Sequence, residues 1–207
     1  MNPLPSTTSL QKIQHAARLE FAKRGYNAAK LENIARSAGV SKQLIYHYFA
    51  TKDQLYRQLL EEAGQSTSDN LGDDIYDGLG PEETICKIIE RTIEIFMKDP
   101  FISAVTLDEA LHDGEHISRR SPFIPTLKRF IEERVRPALE EGEALGVFRP
   151  NVDPVLFYWA AFSIATAPLL NTHVISEICG ERVDTKENME RWRAHAVEFI
   201  LLSLRPL

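Results

Sequence analysis

The stretch AGVSKQLIYHYFATKDQLY, residues 38–56, decides how this chain is read. It sets three aromatic rings and an imidazole side by side at Tyr46, His47, Tyr48 and Phe49, between Lys42 and Lys52. The rings favour burial, and the lysines favour water or an anion. A helical wheel at ~100° per residue separates the two demands. Ile45 and Phe49, four apart, share one face. Lys42 and Tyr46 stack on the opposite side, with Gln43 and His47 beside them and Leu44 and Tyr48 at the borders. The helix therefore has one packing face and one face that offers an ammonium, an amide, a phenol and an imidazole.

The residues around it set its angle. Gly39 can turn left-handed and stop a preceding helix, LENIARSA, whose Ile34 and Ala35 point inward. Ser41 restarts the chain as an N-cap. Two short helices joined by Gly-Val-Ser form a helix-turn-helix, whose second helix fits the major groove of DNA. Amides, lysines and hydroxyls reach base edges there, and apolar groups meet thymine methyls. Lys52 opens the next helix behind Thr51, where an ammonium and the helix's own N–H groups can meet a phosphate. For Ile45 and Phe49 the plain reading, core packing, holds.

Composition supports two jobs in one chain of 207 residues. The net charge of −6 argues against general affinity for nucleic acid. Its distribution argues otherwise: residues 1–62 hold nine Lys/Arg against five Asp/Glu, a net of +4, and residues 63–207 carry a net of −10. Cys86 and Cys179 lie in apolar helical patterns outside any metal-type spacing and read as buried hydrophobes. MNPLPSTTSLQK lacks the regions of a signal peptide, so a cytoplasmic protein is expected. Pro154 to Ser176 contains no Asp, Glu, Lys or Arg. Its polar interruptions favour the central helix of a soluble core over a membrane span, and no membrane partner is expected.

Helix signals recur along the whole chain and period-two alternation does not persist, so the fold class is all-α, with about nine helices. The first helix opens at Thr8, with Gln11 as capping-box partner, and stops at Gly25. The fourth opens at Thr51 and ends near Ala63, with GQSTSDNLGDD as its frayed end and a loop. Pro81 and Pro100 start the next two, and Gly114 stops the second of them. The run from Ser121 to Gly146 reads as one long helix kinked at Pro137. The uncharged helix starts at Asp153-Pro154, and the last helix, Thr185 to Leu204, is opened by Asp184. A DNA-binding domain over residues 1–60 and a second domain over 61–207 are expected.

FAKRGYNAAKLENIARSAGVSKQLIYHYFATKDQLY resembles the DNA-binding domain of the tetracycline-repressor (TetR/AcrR) family. The likeness runs from about Ile13 to Leu60 without a gap. It rests on Phe21, Gly25-Tyr26, Ile34-Ala35, Ala38-Gly39-Val40-Ser41, Tyr46, Phe49, Lys52 and Leu55. The resemblance implies that Lys42, Gln43, Leu44, Tyr46, His47, Tyr48 and Lys52 face double-stranded DNA, with Ser41 and Thr51 at the helix starts beside them. Two positions depart from the pattern. Ala29-Lys30 stands where the family has a capping Thr pair, which removes a cap and makes Lys30 a phosphate contact. Glu20 replaces a Leu and is expected to face solvent.

The resemblance further implies a homodimer that reads a palindromic operator, and a carboxy-terminal part that binds a small-molecule effector. Polar and aromatic groups within apolar helices are the candidate effector contacts: His112, Phe123, Phe130, Trp159, Phe162, Thr166, Asn171 and His173. Each is about as well explained as packed core. His112 and His116 have a metal-type spacing, but Gly114 between them breaks the helix, so surface histidines are expected and no metal or other cofactor. Dimerisation is expected through the last two helices. The uncharged one offers Ala160, Ala161, Ala165 and Ala167, and the final one offers a stripe of Trp192, Ala196, Phe199 and Ile200. An activator or a nucleoid-associated protein of the same fold is the alternative to a repressor. No nucleophile–base pairing or P-loop supports an enzyme.

Overall fold

The computed structural model describes residues 8–112, 114 and 123–206. These form α-helices throughout: α1 (Ser9–Ala28), α2 (Leu31–Ala38), α3 (Lys42–Tyr48), α4 (Lys52–Asn70), α5 (Pro81–Lys98), α6 (Pro100–Leu111), α7 (Phe123–Phe130), α8 (Arg136–Ala144), α9 (Pro154–Leu170), α10 (Thr172–Cys179) and α11 (Lys186–Leu204). A short 3-10 turn, Asp73–Tyr76, lies between α4 and α5. The chain packs as two compact units, residues 1–64 with 100–121 and residues 65–99 with 122–207. Packing thus gathers α6 with the amino-terminal helices, although it lies far beyond residue 60 in sequence.

In the first unit, Thr8 and Gln11 close the capping box that starts α1. Gly25, at φ 70°, breaks the helix before a last loose turn. Ile13, Ala17, Phe21, Ile34, Ile45, Phe49, Leu55, Tyr56, Leu59 and Phe101 form one buried cluster. The ring of Tyr56 stands edge-on to Phe21 at 4.8 Å and to Phe101 at 6.3 Å. Its hydroxyl donates to Asp108 Oδ2 at 3.1 Å, tying α4 to α6. Burial, with the Asp108 charge, pushes the Tyr56 phenol up.

In the second unit α5 is the central helix. Ile85, Ile88, Ile89, Thr92, Ile93 and Phe96 recur at helical spacing and are all buried, against α8, α9 and α11. Pro81 occupies its first turn, and the Gly80 N–H donates to Glu83 Oε2 at 3.0 Å. Phe130, Tyr158 and Phe162 extend this core as neighbouring rings. Arg149 satisfies the end of α11, its N–H donating to Leu204 O at 2.6 Å and its Nε to Ser203 O at 2.9 Å.

Several sequence expectations shift. The kink at Pro137 takes the form of a π-helical turn, Ile131–Val135, between α7 and α8. The proline ring would meet the carbonyl four residues back, and the wider turn makes room for it. The uncharged segment is not one buried helix. It breaks at Asn171 into α9 and α10, bent by 72°. Among the described residues no single helix is long and apolar enough to cross a membrane. Thr185, not Asp184, caps α11, accepting from the Asn188 N–H at 3.3 Å, while Asp184 pairs with Arg182. Cys179 is exposed at the end of α10 and Cys86 is half-buried.

Gly142 in α8 lies under Phe148, so close that a Cβ would stand 2.0 Å from the Phe148 ring. Gly142→Ala gains about 1 kcal/mol of helix propensity. It displaces a buried ring whose removal costs about 3–5 kcal/mol. A net loss of about 2 kcal/mol is expected in urea unfolding, where a stabilised variant would contradict the packing.

Candidate nucleic-acid interface

The turn before α3 is built as its residues require. Gly39 takes φ 65°, the left-handed region that a side chain resists, and the Val40 N–H returns to Ala35 O at 3.0 Å. Ser41 Oγ then accepts from the Leu44 N–H at 3.1 Å and starts α3. Ile45 and Phe49 are buried at 0% and 2% exposure and pin the helix to the core. Lys42, Gln43, Tyr46, His47 and Tyr48 are exposed, and Leu44 is half-buried at the border. The Lys42 ammonium lies 5.6 Å over the Tyr46 ring, and the His47 and Tyr48 rings meet edge-on at 5.5 Å. Side chains able to donate and accept hydrogen bonds thus stand on one side of a short anchored helix.

Thr51 Oγ1 accepts from the Gln54 N–H at 3.0 Å, and Gln54 Oε1 accepts from the Ala50 N–H at 2.9 Å. Thr51 therefore acts as the cap of α4. Lys30 is exposed just before α2 and places no side-chain cap on it.

Two charged residues behave differently from their sequence reading. Glu20 does not face solvent. Its side chain is 12% exposed, pairs with Arg24 at 3.2 Å, and accepts from the Lys30 N–H at 3.3 Å and from Asn33 Nδ2 at 2.7 Å. It ties the residue before α2 and a side chain of its first turn back to α1, while α2 itself has no side-chain cap. Burial pushes its carboxyl up, but the bonds from Asn33, Lys30 and Arg24 together hold it below the usual range.

Lys52 does not reach outward to a phosphate. Its Nζ donates to Tyr26 O at 2.7 Å, Ala29 O at 3.1 Å and Asn27 O at 3.3 Å. An ammonium has three donors, and all are engaged. The same group lies 4.5 Å over the Tyr26 ring. Burial lowers its pKa. The acceptors are carbonyls at and just beyond the loose end of α1, where a helix presents its negative end. Lys52 is a clamp between the starts and ends of two helices.

The proposed effector contacts do not form one group. His112 belongs to the first unit, where Nδ1 meets Asp108 O at 2.7 Å and Nε2 meets Asn27 Nδ2 at 3.1 Å. Thr166 is fully buried and bonds back to Phe162 O at 2.8 Å. Phe162 packs on Phe96 at 5.5 Å. Asn171 and His173 are exposed, and Trp159 is 48% exposed on the outside of α9. The Phe123 side chain and His116 lie outside the described residues. Among the described residues no group of three His, Cys, Asp or Glu stands ready for a metal.

Phe130 lines a cavity of about 440 Å³ in the second unit. Its walls also include Gln65, Ser68 and Asp69 from the end of α4, Leu71 just after it, and Leu127, Arg129 and Glu133 from α7 and the π-helical turn. Sequence reading missed these because GQSTSDN looks like loop. The stretch stays helical through local bonds, including Gln65 Nε2 to Asp69 Oδ1 at 2.7 Å and Asn70 Nδ2 to Ser66 O at 2.6 Å.

Lys52→Ala is expected to lower the melting temperature while leaving the salt slope of DNA binding unchanged, since no phosphate contact is lost. A slope reduced by about one unit would instead mark a phosphate contact. Gln43→Ala and Tyr46→Ala relax base preference by ~1–3 kcal/mol, as read by competition with mutated sites. Glu20→Ala costs about 1 kcal/mol, the usual net value of a lost hydrogen bond. Because the folded carboxyl has the lower pKa, its stabilisation is full at neutral pH. It fades as acid titrates the carboxyl, and an acid unfolding series checks this.

The profile of bacterial regulatory proteins of the tetR family matches residues 13–59. That of tetracyclin repressor-like C-terminal domains matches residues 81–200. The transcriptional repressor NicS of Pseudomonas putida is 25% identical over 193 residues, 93% of this chain and 91% of its own. The ketosteroid regulator KstR2 of Mycobacterium tuberculosis shares the fold at a TM-score of 0.72, with 20% identity over 97% of this chain and 96% of the other. The fatty acid degradation regulator FadR of Bacillus halodurans does so at 0.70, with 22% identity over the full length of both. The helix-turn-helix, the all-α fold and the match of both profiles together make this chain a member of the tetracycline-repressor family of DNA-binding transcriptional regulators.

Proposed function

We propose that the protein is a homodimeric, cytoplasmic repressor that reads a palindromic operator through paired α3 helices and is released by a small molecule. The observation that carries this reading is the two-sided α3, anchored by Ile45 and Phe49 with its hydrogen-bonding side chains exposed. The similarity to NicS, a transcriptional repressor, favours repression over activation.

A dimer accounts for a second feature. Leu156, Trp159, Ala160 and Ser163 lie exposed along α9, and His195, Phe199 and Leu202 lie exposed along the neighbouring α11. Leu156 is 71% and Phe199 54% exposed. Apolar side chains this open along two adjacent helices suit a two-fold partner surface. The pairing residues differ from the sequence expectation. Ala161, Ala165, Ala196 and Ile200 are buried within their own unit, and Trp192 Nε1 donates to Ile164 O at 3.1 Å.

For the effector, the cavity beside Phe130 is the best-supported place. Its wall includes the last turns of α4, and the first turn of that same helix holds the Lys52 clamp. Two bound states that differ 100-fold in operator affinity require about 2.7 kcal/mol of differential binding. KstR2 is named a ketosteroid transcriptional regulator and FadR a fatty acid degradation regulator. The polar walls of Gln65, Asp69, Arg129 and Glu133 here call for a ligand with hydrogen-bonding groups.

Footprinting with the full chain tests the regulator, which is expected to protect one short palindrome. Leu156→Glu with Phe199→Glu is expected to give monomers in sedimentation and to lose operator binding. A double variant that stays dimeric removes the α9–α11 interface from the reading. Ser68→Trp fills the cavity, so it is expected to abolish the response to a ligand found by thermal shift while DNA binding persists. A retained response places the effector elsewhere.

A further inference from the structure

A negative charge stands among the lysines of the DNA-reading unit. Glu32 lies in the first turn of α2, and its Oε1 accepts a hydrogen bond from the Lys42 ammonium at the start of α3. Both side chains remain open to solvent, 55% for Glu32 and 42% for Lys42. Lys30, one residue before α2, acts on the same carboxylate through its charge. One carboxylate therefore sits with two lysines, both expected at the DNA backbone or bases. The Lys42 ammonium is drawn the same way by the Tyr46 ring below it. In the protein without DNA, Lys42 is folded back on its own surface.

We propose that Glu32 is a specificity-determining residue of the DNA interface. It holds Lys42 in an intramolecular pair that a well-placed operator site replaces and unrelated DNA replaces less completely. The inference rests on the DNA-binding reading of α3 given above. Non-specific affinity depends on how many cations meet phosphates, and each contact contributes roughly 0.9 to the salt slope. A lysine neutralised from within drops out of that number. The carboxylate also repels any phosphate that approaches Lys30 or Lys42, and discrimination gains from a repulsive element as well as from attractive ones. Operator DNA, held in register by Gln43 and Tyr46, can present an acceptor that takes over Lys42. Random DNA lacks that register. Because both partners are exposed, the pair is weak enough to exchange. With Lys52 engaged at the end of α1, few lysines remain on this side, so one carboxylate weighs heavily.

The test compares the full-length wild type with Glu32→Gln, Lys42→Gln and the double variant. Fluorescence anisotropy follows each on a duplex selected by the wild type and on a scrambled duplex of equal length, across a salt series. Glu32→Gln is expected to tighten binding to the scrambled duplex about twofold to fivefold at low salt. It should steepen that salt slope by about one unit. Operator affinity changes less, so the ratio between the two duplexes falls. In the Lys42→Gln background the effect of Glu32→Gln shrinks, because Glu32 acts through Lys42. A fold change would move the melting curve but not the salt slope selectively. Equal slopes and affinities for wild type and Glu32→Gln overturn the proposal, as does an effect that persists undiminished without Lys42. A wild type that binds neither duplex overturns the DNA reading of α3 as well, which sets that outcome apart from the others.

Discussion

The DNA-reading unit depends on one half-buried ammonium. Lys52 bonds three carbonyls where α1 unwinds after Gly25, and so joins the start of α4 to the end of α1. Without it the α3–α4 corner loses its tie to the helix beneath. Glu20 is the anionic counterpart nearby, since its carboxylate accepts from the Lys30 N–H just before α2 and from the Asn33 side-chain amide. An anion satisfies the positive end of a helix and a cation the negative end, as the helix dipole favours. The presentation of Gln43, Tyr46 and His47 to solvent follows from these two ties and from the burial of Ile45 and Phe49.

These ties change the meaning of the charge count. A net of +4 over residues 1–62 suggests a broadly basic surface. Yet Arg18 pairs with Glu62, Arg24 with Glu20, Lys42 with Glu32 and Arg57 with Asp53, and Lys52 is held by carbonyls. Five of the nine cationic side chains therefore already have partners within the unit. Cations paired in this way must exchange partners before they can meet a phosphate, so the charge count alone overstates how basic the surface is.

Local punctuation made the amino-terminal helices legible. Thr8 with Gln11, Gly25, Gly39 and Ser41 each set a boundary through bonds to residues at most five positions away, so the sequence contains the whole cause. What escaped reading depends on distant groups. The role of Glu20 needs the start of α2 beside it, and that of Lys52 needs the end of α1, more than twenty residues earlier. The effector candidates show the same limit. Aromatic and polar residues inside apolar helices mark a core, but whether Phe162 or Phe130 meets a cavity depends on how α5, α7 and α9 pack. Trp159 reads as an effector contact within an apolar helix, whereas the fold leaves its side chain half open.

The second half of α4 gives the proposed release its physical footing. From Gly64 to Asn70 no residue is buried, and the sequence is rich in small polar residues with modest helix propensity. Side-chain bonds such as Gln65 to Asp69 and Asn70 to Ser66 maintain these turns in place of apolar packing. Segments of this kind sit at the low-stability end of a protein, where little free energy shifts the population. The first half of α4 is the reverse, with Leu55, Tyr56 and Leu59 each nearly inaccessible. One helix thus joins a rigid end, locked by Lys52 and Tyr56, to a soft end that lines a polar cavity. The proposed effector site therefore lies against turns held by few apolar contacts, on the same helix whose first turns are fixed by buried side chains.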